Sequence, residues 1–416
     1  MGMNESNVLK VGIVGAGFIV KKSHIPGLAA TSKCYIAGLH DINEVAAREA
    51  RKFYLDQMEQ GDNPLLSKAK NGCNIHDSLE ELVKSVDIVD IATPPAYHLE
   101  AVSLALNHGK HVICEKPLAR NWQELLQYPE IMEKAAGGDW KFQLHTQGIW
   151  HPIVKAGRDL IADGVVGEIQ QIRTLHQGAD PKHTVKLASL WDKHHSGGGA
   201  LMDIGPHAYA GMWYWLDAGW EPVAVETQLL EATVPVREIA GKPGTKVTVE
   251  DDAHVTITWK NKDGREIRGD LEASWNKKDW HEGKVGSRLA PDLYYEITGT
   301  KGILTFPNVM LSFRKPFGIA AGLKFKGKKG EKHAYKFKLP KKGIEDLNFF
   351  DEFIDVIKGE RKGRNDFKFA EEMLLVFGAA YLSSKSGKKV TLKEYKKYAE
   401  NFKETPALID DLFSSF

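Results

Sequence analysis

The sequence is poor in cysteine. Three residues, Cys34, Cys73 and Cys114, are scattered over 416 positions. An odd, widely spaced set excludes a disulfide framework and carries no metal-ligand spacing. Net charge is also lacking, at +1. That excludes the basic field that a nucleic-acid or acidic-membrane partner would require. Long apolar runs are missing too. "VGIVGAGFIV" and "AYAGMWYWL" are the longest, and both fall far short of the roughly 20 residues that span a bilayer. The start, "MGMNESNVLK", is polar and has no signal-peptide core. A cytoplasmic protein is expected, with no membrane and no nucleic acid among its partners. Its length exceeds what one core usually fills, so two domains are expected.

What is present has two grammars. Residues 8–145 alternate short buried strands with helical stretches: "KVGIVGAG", then "HIPGLAAT"; "CYIAGLHD", then "NEVAAREARKFYL"; "SVDIVDIATPP", then "AYHLEAVSLALNHG"; and "HVICEKP". This βαβα order predicts a doubly wound parallel sheet. Residues 56–74 read as a polar surface loop with a short helix. From about 150 the pattern turns to strand-like runs with hairpin signals such as "NKDG" and "GTKG". It predicts an α+β domain with a large, mostly antiparallel open sheet. The boundaries drawn are 1–145, 146–392 and a C-terminal extension, 393–416. The lysine-rich stretch "KFKGKKGEKHAYKFKLPKKG" is expected as a solvated hairpin at a sheet edge, where lysines discourage edge pairing.

Three stretches carry chemistry. Gly15 and Gly17 follow the first strand directly. Two glycines there tighten the turn and let the backbone approach a pyrophosphate, while the next helix points its N–H groups at it. Val20 replaces the usual third glycine, which serves helix packing rather than phosphate contact. Asp41 ends the next strand. An acid there bonds the ribose hydroxyls and repels a 2′-phosphate, favouring NAD, with NADP still possible. Asp41 or Asn43 also suits a helix N-cap. In "HVICEKPLAR", Lys116 lies just past a buried strand, where a lysine can polarise a carbonyl or stabilise an alkoxide. In "GGGALMDIGPH", Asp203 and His207 stand four apart, a spacing that shares a helix face. Pro206 requires that the helix either begin near Gly205 or kink there. The run Gly197 to Gly199 asks for a close backbone approach, expected from nicotinamide or substrate.

These motifs, together with "DIVDIATPPAYHLEAVSLALNHGKHVICEKPLA", "IADGVVGEI", "YYEITGTKGIL" and "AAYLSSKSGKKVTL" in the same order, resemble the Gfo/Idh/MocA family (glucose–fructose oxidoreductase, inositol dehydrogenase, MocA). The resemblance implies a Rossmann domain and a C-terminal α/β domain whose sheet packs in homodimers or homotetramers. It also implies hydride transfer between NAD(P) and a secondary alcohol of a sugar or cyclic polyol. Lys116, Asp203 and His207 would be catalytic. Gly15, Gly17, Phe18, Ile19, Asp41, Thr93, Pro94, His98, Glu115 and Lys116 would hold the cofactor. His98 also reads as a helix-start residue. No metal is expected.

Two other activities occur among such proteins: glycosidases that cycle bound NAD, and NAD(P)-sensing proteins that do not catalyse. The chain departs from the pattern at Ile149, where an arginine is common. Gln147, with Trp150 and His151, is a candidate to replace its contacts, and in "SLWDKHHSGGG" Trp191 is a candidate platform for a sugar face and His194 or His195 a candidate hydroxyl contact. The stretch 273–291 is long for a sheet connection and reads equally as a surface loop or as a reach toward substrate or partner.

Overall fold

The computed structural model describes residues 8–135, 138–146, 152–178, 188–216, 219–232, 247–275, 293–306, 320–326, 332–338, 348–363 and 366–414. The chain divides into two compact units. The first comprises residues 1–119, 126–145 and 345–367, the second residues 120–125, 146–344 and 368–416.

Six strands build the first unit: β1 (Leu9–Val14), β2 (Cys34–His40), β3 (Asn74–Ile75), β4 (Ile88–Ile91), β5 (His111–Glu115) and β6 (Phe142–His145). Their order is β3-β2-β1-β4-β5-β6, and every pairing is parallel. Val11, Ile13, Ile36, Leu39, Val89, Ile91, Val112 and Ile113 are wholly buried, as strands covered on both faces require. The strand order reverses between β1 and β4. In an open parallel sheet that reversal opens a crevice at the C-terminal strand ends.

Three local features differ from the sequence reading. The helix after Gly17 opens with a π-helical turn, Val20–His24, which runs into Ile25–Ala30. Val20 is thus buried in a widened turn where the usual glycine would stand. The second helix runs on to Gln60, because Tyr54 and Met58 continue its buried stripe. Residues 56–60 are therefore helix, not loop. Residues 348–363 group with the first unit. Asn348 donates to the Gly27 carbonyl at 2.7 Å, and Asp351 and Asp355 pair with Thr31 and Lys33. The contacts come from the far end of the chain, so no local pattern marks them.

The second unit holds a nine-stranded sheet: β7 (Ile169–Gln177), β8 (Trp220–Glu231), β9 (Asp252–Asn261), β10 (Glu266–Ser274), β11 (Leu293–Gly299), β12 (Gly302–Phe306), β13 (Ala320–Lys326), β14 (Lys332–Lys338) and β15 (Val390–Thr391). The order is β14-β13-β12-β11-β7-β10-β9-β8-β15. Among the described residues of this sheet, only the β7–β10 pairing is parallel. The lysine-rich hairpin is β13–β14, and β14 forms one edge, as expected.

The helix Gly205–Leu216 covers one face of this sheet. Gly211 makes room for the Tyr295 ring, and Gly269 for the Trp259 indole. Tyr209 stacks on Trp259 at 5.9 Å between centroids. The opposite face carries a polar ladder. Arg173 pairs with Glu272 at 3.2 Å, and Asp270 accepts from Gln171, Thr256 and Arg268. The C-terminal helices Leu392–Ala399 and Thr405–Leu412 pack on the same unit, with Tyr395 against Gly378 and Phe413 against Tyr381.

Candidate active site

The cofactor residues gather at the C-terminal strand ends of the first unit. Gly15 has φ +89, and a Cβ there would lie 2.8 Å from the Ala92 carbonyl oxygen. Only glycine fits between β1 and the loop after β4. Gly17 differs, since nothing lies within 4 Å of a Cβ built on it. Its open side is the space a pyrophosphate needs above a helix N-terminus. Asp41 Oδ2 accepts from Ala16 N at 2.6 Å and Oδ1 from Asn43 N at 2.7 Å. The helix cap is Asn43, which accepts from Val45 and Ala46. Asp41 is thereby a half-buried brace of the glycine turn, with Ile42 and Val45 fully or largely exposed beside it. Phe18 is also exposed, and Ile19 is half-buried.

After β4, Thr93 and Pro94 are half-buried. The Thr93 hydroxyl is buried with no hydrogen-bond partner among the described residues. An orphaned hydroxyl beside an open glycine turn is what a bound dinucleotide would satisfy, so these residues fit the group. His98 is different. It is wholly buried, between the Pro117 carbonyl at 3.0 Å and the Thr93 carbonyl at 2.8 Å. It ties two loops together. The expectation that it lines the groove is corrected, because no surface of it is exposed.

Glu115 is nearly buried, and its carboxylate is committed to neighbouring groups. Its Oε1 accepts from His24 Nε2 at 3.0 Å and from His145 Nδ1, and its Oε2 from Lys116 N at 3.0 Å. His24 also donates from Nδ1 to Asp90 at 2.8 Å. Burial alone would push the Glu115 carboxyl up, but the charges and hydrogen bonds of His145 and His24 hold it well below the usual range. For His24, burial is outweighed by Asp90 and Glu115, which raise it to about 10. It is therefore an imidazolium. Burial and the charge of His24 lower His145. Sequence reading missed this group, whose members lie on four separate elements. Lys116 follows it, half-buried at the end of β5, and the Lys116–Pro117 bond is cis.

In the second unit, Asp203 ends the short helix Ala200–Asp203, and His207 lies in the first turn of Gly205–Leu216. The helix restarts at Gly205, so Pro206 falls where no intrahelical N–H is needed. The two residues consequently stand on consecutive helices rather than on one continuous face, which corrects the spacing argument. Asp203 Oδ2 accepts from Trp275 Nε1 at 3.0 Å. The His207 carbonyl accepts from the Tyr295 hydroxyl at 3.1 Å. The His176 ring stands edge-on to His207, 5.0 Å between centroids. His176 and Tyr295 lie on β7 and β11 and Trp275 just past the end of β10, and none of them had a signal in the sequence.

The glycine run is answered within this unit. A Cβ on Gly197 would lie 2.4 Å from the Arg120 carbonyl, on Gly198 2.0 Å from the Tyr381 hydroxyl, and on Gly199 1.7 Å from the Glu250 carbonyl. The close approach comes from the protein itself. Trp191 is wholly buried and packs on Trp275 at 4.7 Å. It is a core residue, and its reading as a sugar platform is corrected. His194 faces Asp410 of the C-terminal helix at 3.1 Å. Gln147, Trp150 and His151, and most of the 273–291 stretch, lie outside the described residues.

Residues 9–137 match the oxidoreductase family with an NAD-binding Rossmann fold, and residues 154–305 match the C-terminal domain of the same GFO/IDH/MocA family. An uncharacterised oxidoreductase of Synechocystis sp. is 23% identical over 292 residues, 68% of this chain and 72% of that protein. Levoglucosan dehydrogenase of Pseudarthrobacter phenanthrenivorans is 29% identical over 213 residues, 48% of this chain and 49% of that one. The chain thus aligns with about half the length of that sugar dehydrogenase. A solved levoglucosan dehydrogenase in complex with NADH and levoglucosan superposes with a TM-score of 0.70 at 20% identity, covering 92% of this chain and 99% of that one. The chain belongs to the Gfo/Idh/MocA family of oxidoreductases, and residues 9–137 are its NAD-binding Rossmann fold.

Proposed function

We propose that the protein is an NAD(P)-dependent dehydrogenase of a secondary alcohol on a sugar or cyclic polyol, with an anhydrosugar such as levoglucosan as the first substrate class to try. The observation that carries this reading is the Asp203–His207 segment, its acid held by Trp275 and its histidine flanked by His176. The similarity to a levoglucosan dehydrogenase supports the substrate class.

Gly15, Gly17, Asp41 and Thr93 would hold the cofactor, and NAD, when bound, supplies the acceptor for the hydride that leaves the carbinol carbon. His207 takes the hydroxyl proton as general base, the role an imidazole fills near neutral pH. Asp203 orients that imidazole or a neighbouring hydroxyl, while Trp275 fixes the carboxylate. Lys116 donates to the reacting oxygen and stabilises its alkoxide character. His24, Glu115 and His145 hold the backbone from which Lys116 projects.

The test is absorbance at 340 nm with NAD⁺ or NADP⁺ and a panel of levoglucosan, inositols, aldoses and glycosides, with product analysis. A rise with one sugar or polyol class supports the dehydrogenase. Sugar or aglycone released without net NADH would replace this reading with a redox-cycling glycosidase.

A further inference from the structure

Glu250 has no place in the mechanism above, yet three successive backbone amides converge on it. Gly199 N donates to both its carboxylate oxygens at 3.1 Å, Leu201 N donates to Oε1 at 3.0 Å, and Ala200 N donates to its main-chain carbonyl at 3.0 Å. The Tyr381 hydroxyl is a fourth donor and bonds Oε1 at 2.9 Å. Glu250 is wholly buried. Burying a carboxyl is costly unless its hydrogen bonds are made, and here nearly all come from one three-residue stretch. Those amides are the N-terminal ones of the helix Ala200–Asp203, which otherwise lack partners. An acid at that end also meets the positive end of the peptide dipoles. Gly199 has no side-chain cap of its own, so the cap comes from the distant segment that leads into β9.

We propose that Glu250 is a positioning residue for the Asp203–His207 segment: with Tyr381 it clamps amides 199–201 and so fixes where Asp203 and His207 stand. The inference rests on the reading of those two residues as catalytic. The clamp is backed by the C-terminal extension. The Phe413 ring lies 4.6 Å from Tyr381, and Asp410 pairs with Lys193 at 2.8 Å, one turn before the glycines.

The experiment compares the full chain with Glu250→Gln, Tyr381→Phe and His207→Ala. A glutamine keeps the size of Glu250 but offers one acceptor oxygen instead of two. Tyr381→Phe removes a single donor and serves where Glu250→Gln folds poorly. Amide hydrogen exchange is read on peptides covering 199–207 and 9–41, and turnover is read with levoglucosan and NAD⁺ as probes.

Both clamp variants are expected to speed exchange in 199–207 by about tenfold, the scale of one lost hydrogen bond. Exchange in 9–41 and NAD⁺ affinity stay within about twofold of wild type, and kcat falls by about tenfold with KM little changed. Unchanged exchange in 199–207 overturns the clamp, whether or not the probe sugar is turned over. Faster exchange with undiminished kcat, where His207→Ala abolishes turnover, overturns its link to catalysis. Wild-type turnover in His207→Ala instead refutes the catalytic reading and leaves the exchange result to decide the clamp.

Discussion

Gly199 lies so close to Glu250 that a methyl group on it would stand 1.7 Å from the Glu250 carbonyl oxygen. The same carbonyl accepts from Ala200 N at 3.0 Å. Neither backbone can move off without breaking that bond.

Gly199→Ala should therefore destabilise the protein by about 3 kcal/mol, the upper end of overpacking costs, lowering Tm by roughly 6–12 °C for a unit of this size. Gly17→Ala is its counterpart. With nothing within 4 Å of the added carbon, Tm should hold to about 1 °C while NAD⁺ affinity falls by about tenfold or more. Calorimetry and a fluorescence titration on the two variants check both halves. A Gly17→Ala protein that binds NAD⁺ like wild type removes the glycine turn from the cofactor site.

Asp41 accepts from Ala16 N at 2.6 Å, so it both braces the glycine turn and presents a negative charge beside it. Asp41→Ser should weaken NAD⁺ binding and raise the affinity for NADP⁺ relative to NAD⁺ by about tenfold, by removing the repulsion of a 2′-phosphate. The ratio of the two dissociation constants is the readout. An unchanged ratio places cofactor discrimination elsewhere.

Stability should fall toward alkaline pH in two windows. Burial pushes the Glu250 carboxyl up to about 7, against the pull of the amides and Tyr381. The folded state thus holds a proton that the unfolded state has released. Stability from this group is full below about 4.5 and is lost as pH rises through about 7. His24, raised to about 10 by Asp90 and Glu115 despite burial, contributes fully below about 6.5 and loses its contribution as pH rises through 10. Tm measured from pH 5 to 10 should show both declines. Glu250→Gln should flatten the first and His24→Gln the second. A variant that keeps the wild-type slope in its window refutes that assignment.

Much of this architecture is legible in the sequence, because it rests on local periodicity. Val11, Ile13, Ile36 and Leu39 announce strands buried on both faces. Gly15 and Asp41 mark the turn and the following strand end by position alone. What stayed hidden depends on residues far apart. The three glycines were visible, but nothing local joins them to Arg120, Glu250 and Tyr381, which require them from three distant parts of the chain. Glu115 reads as a cofactor contact until His24 and His145 occupy its carboxylate. Trp191 reads as a platform until Trp275 covers it. His98 stands at a helix start, as one reading held, and its burial between two carbonyls decides its role. The restart at Gly205 was foreshadowed by Pro206, whose missing N–H restricts where a helix can begin.

The most direct test of the assigned chemistry is turnover and NAD⁺ binding measured together in Lys116→Ala and His207→Ala. Both variants should lose at least about a hundredfold in kcat, as expected for removing an electrophilic donor or a general base, with the NAD⁺ dissociation constant within about threefold of wild type. Turnover near wild type in either variant, on a sugar or polyol that the native protein oxidises, would contradict the account.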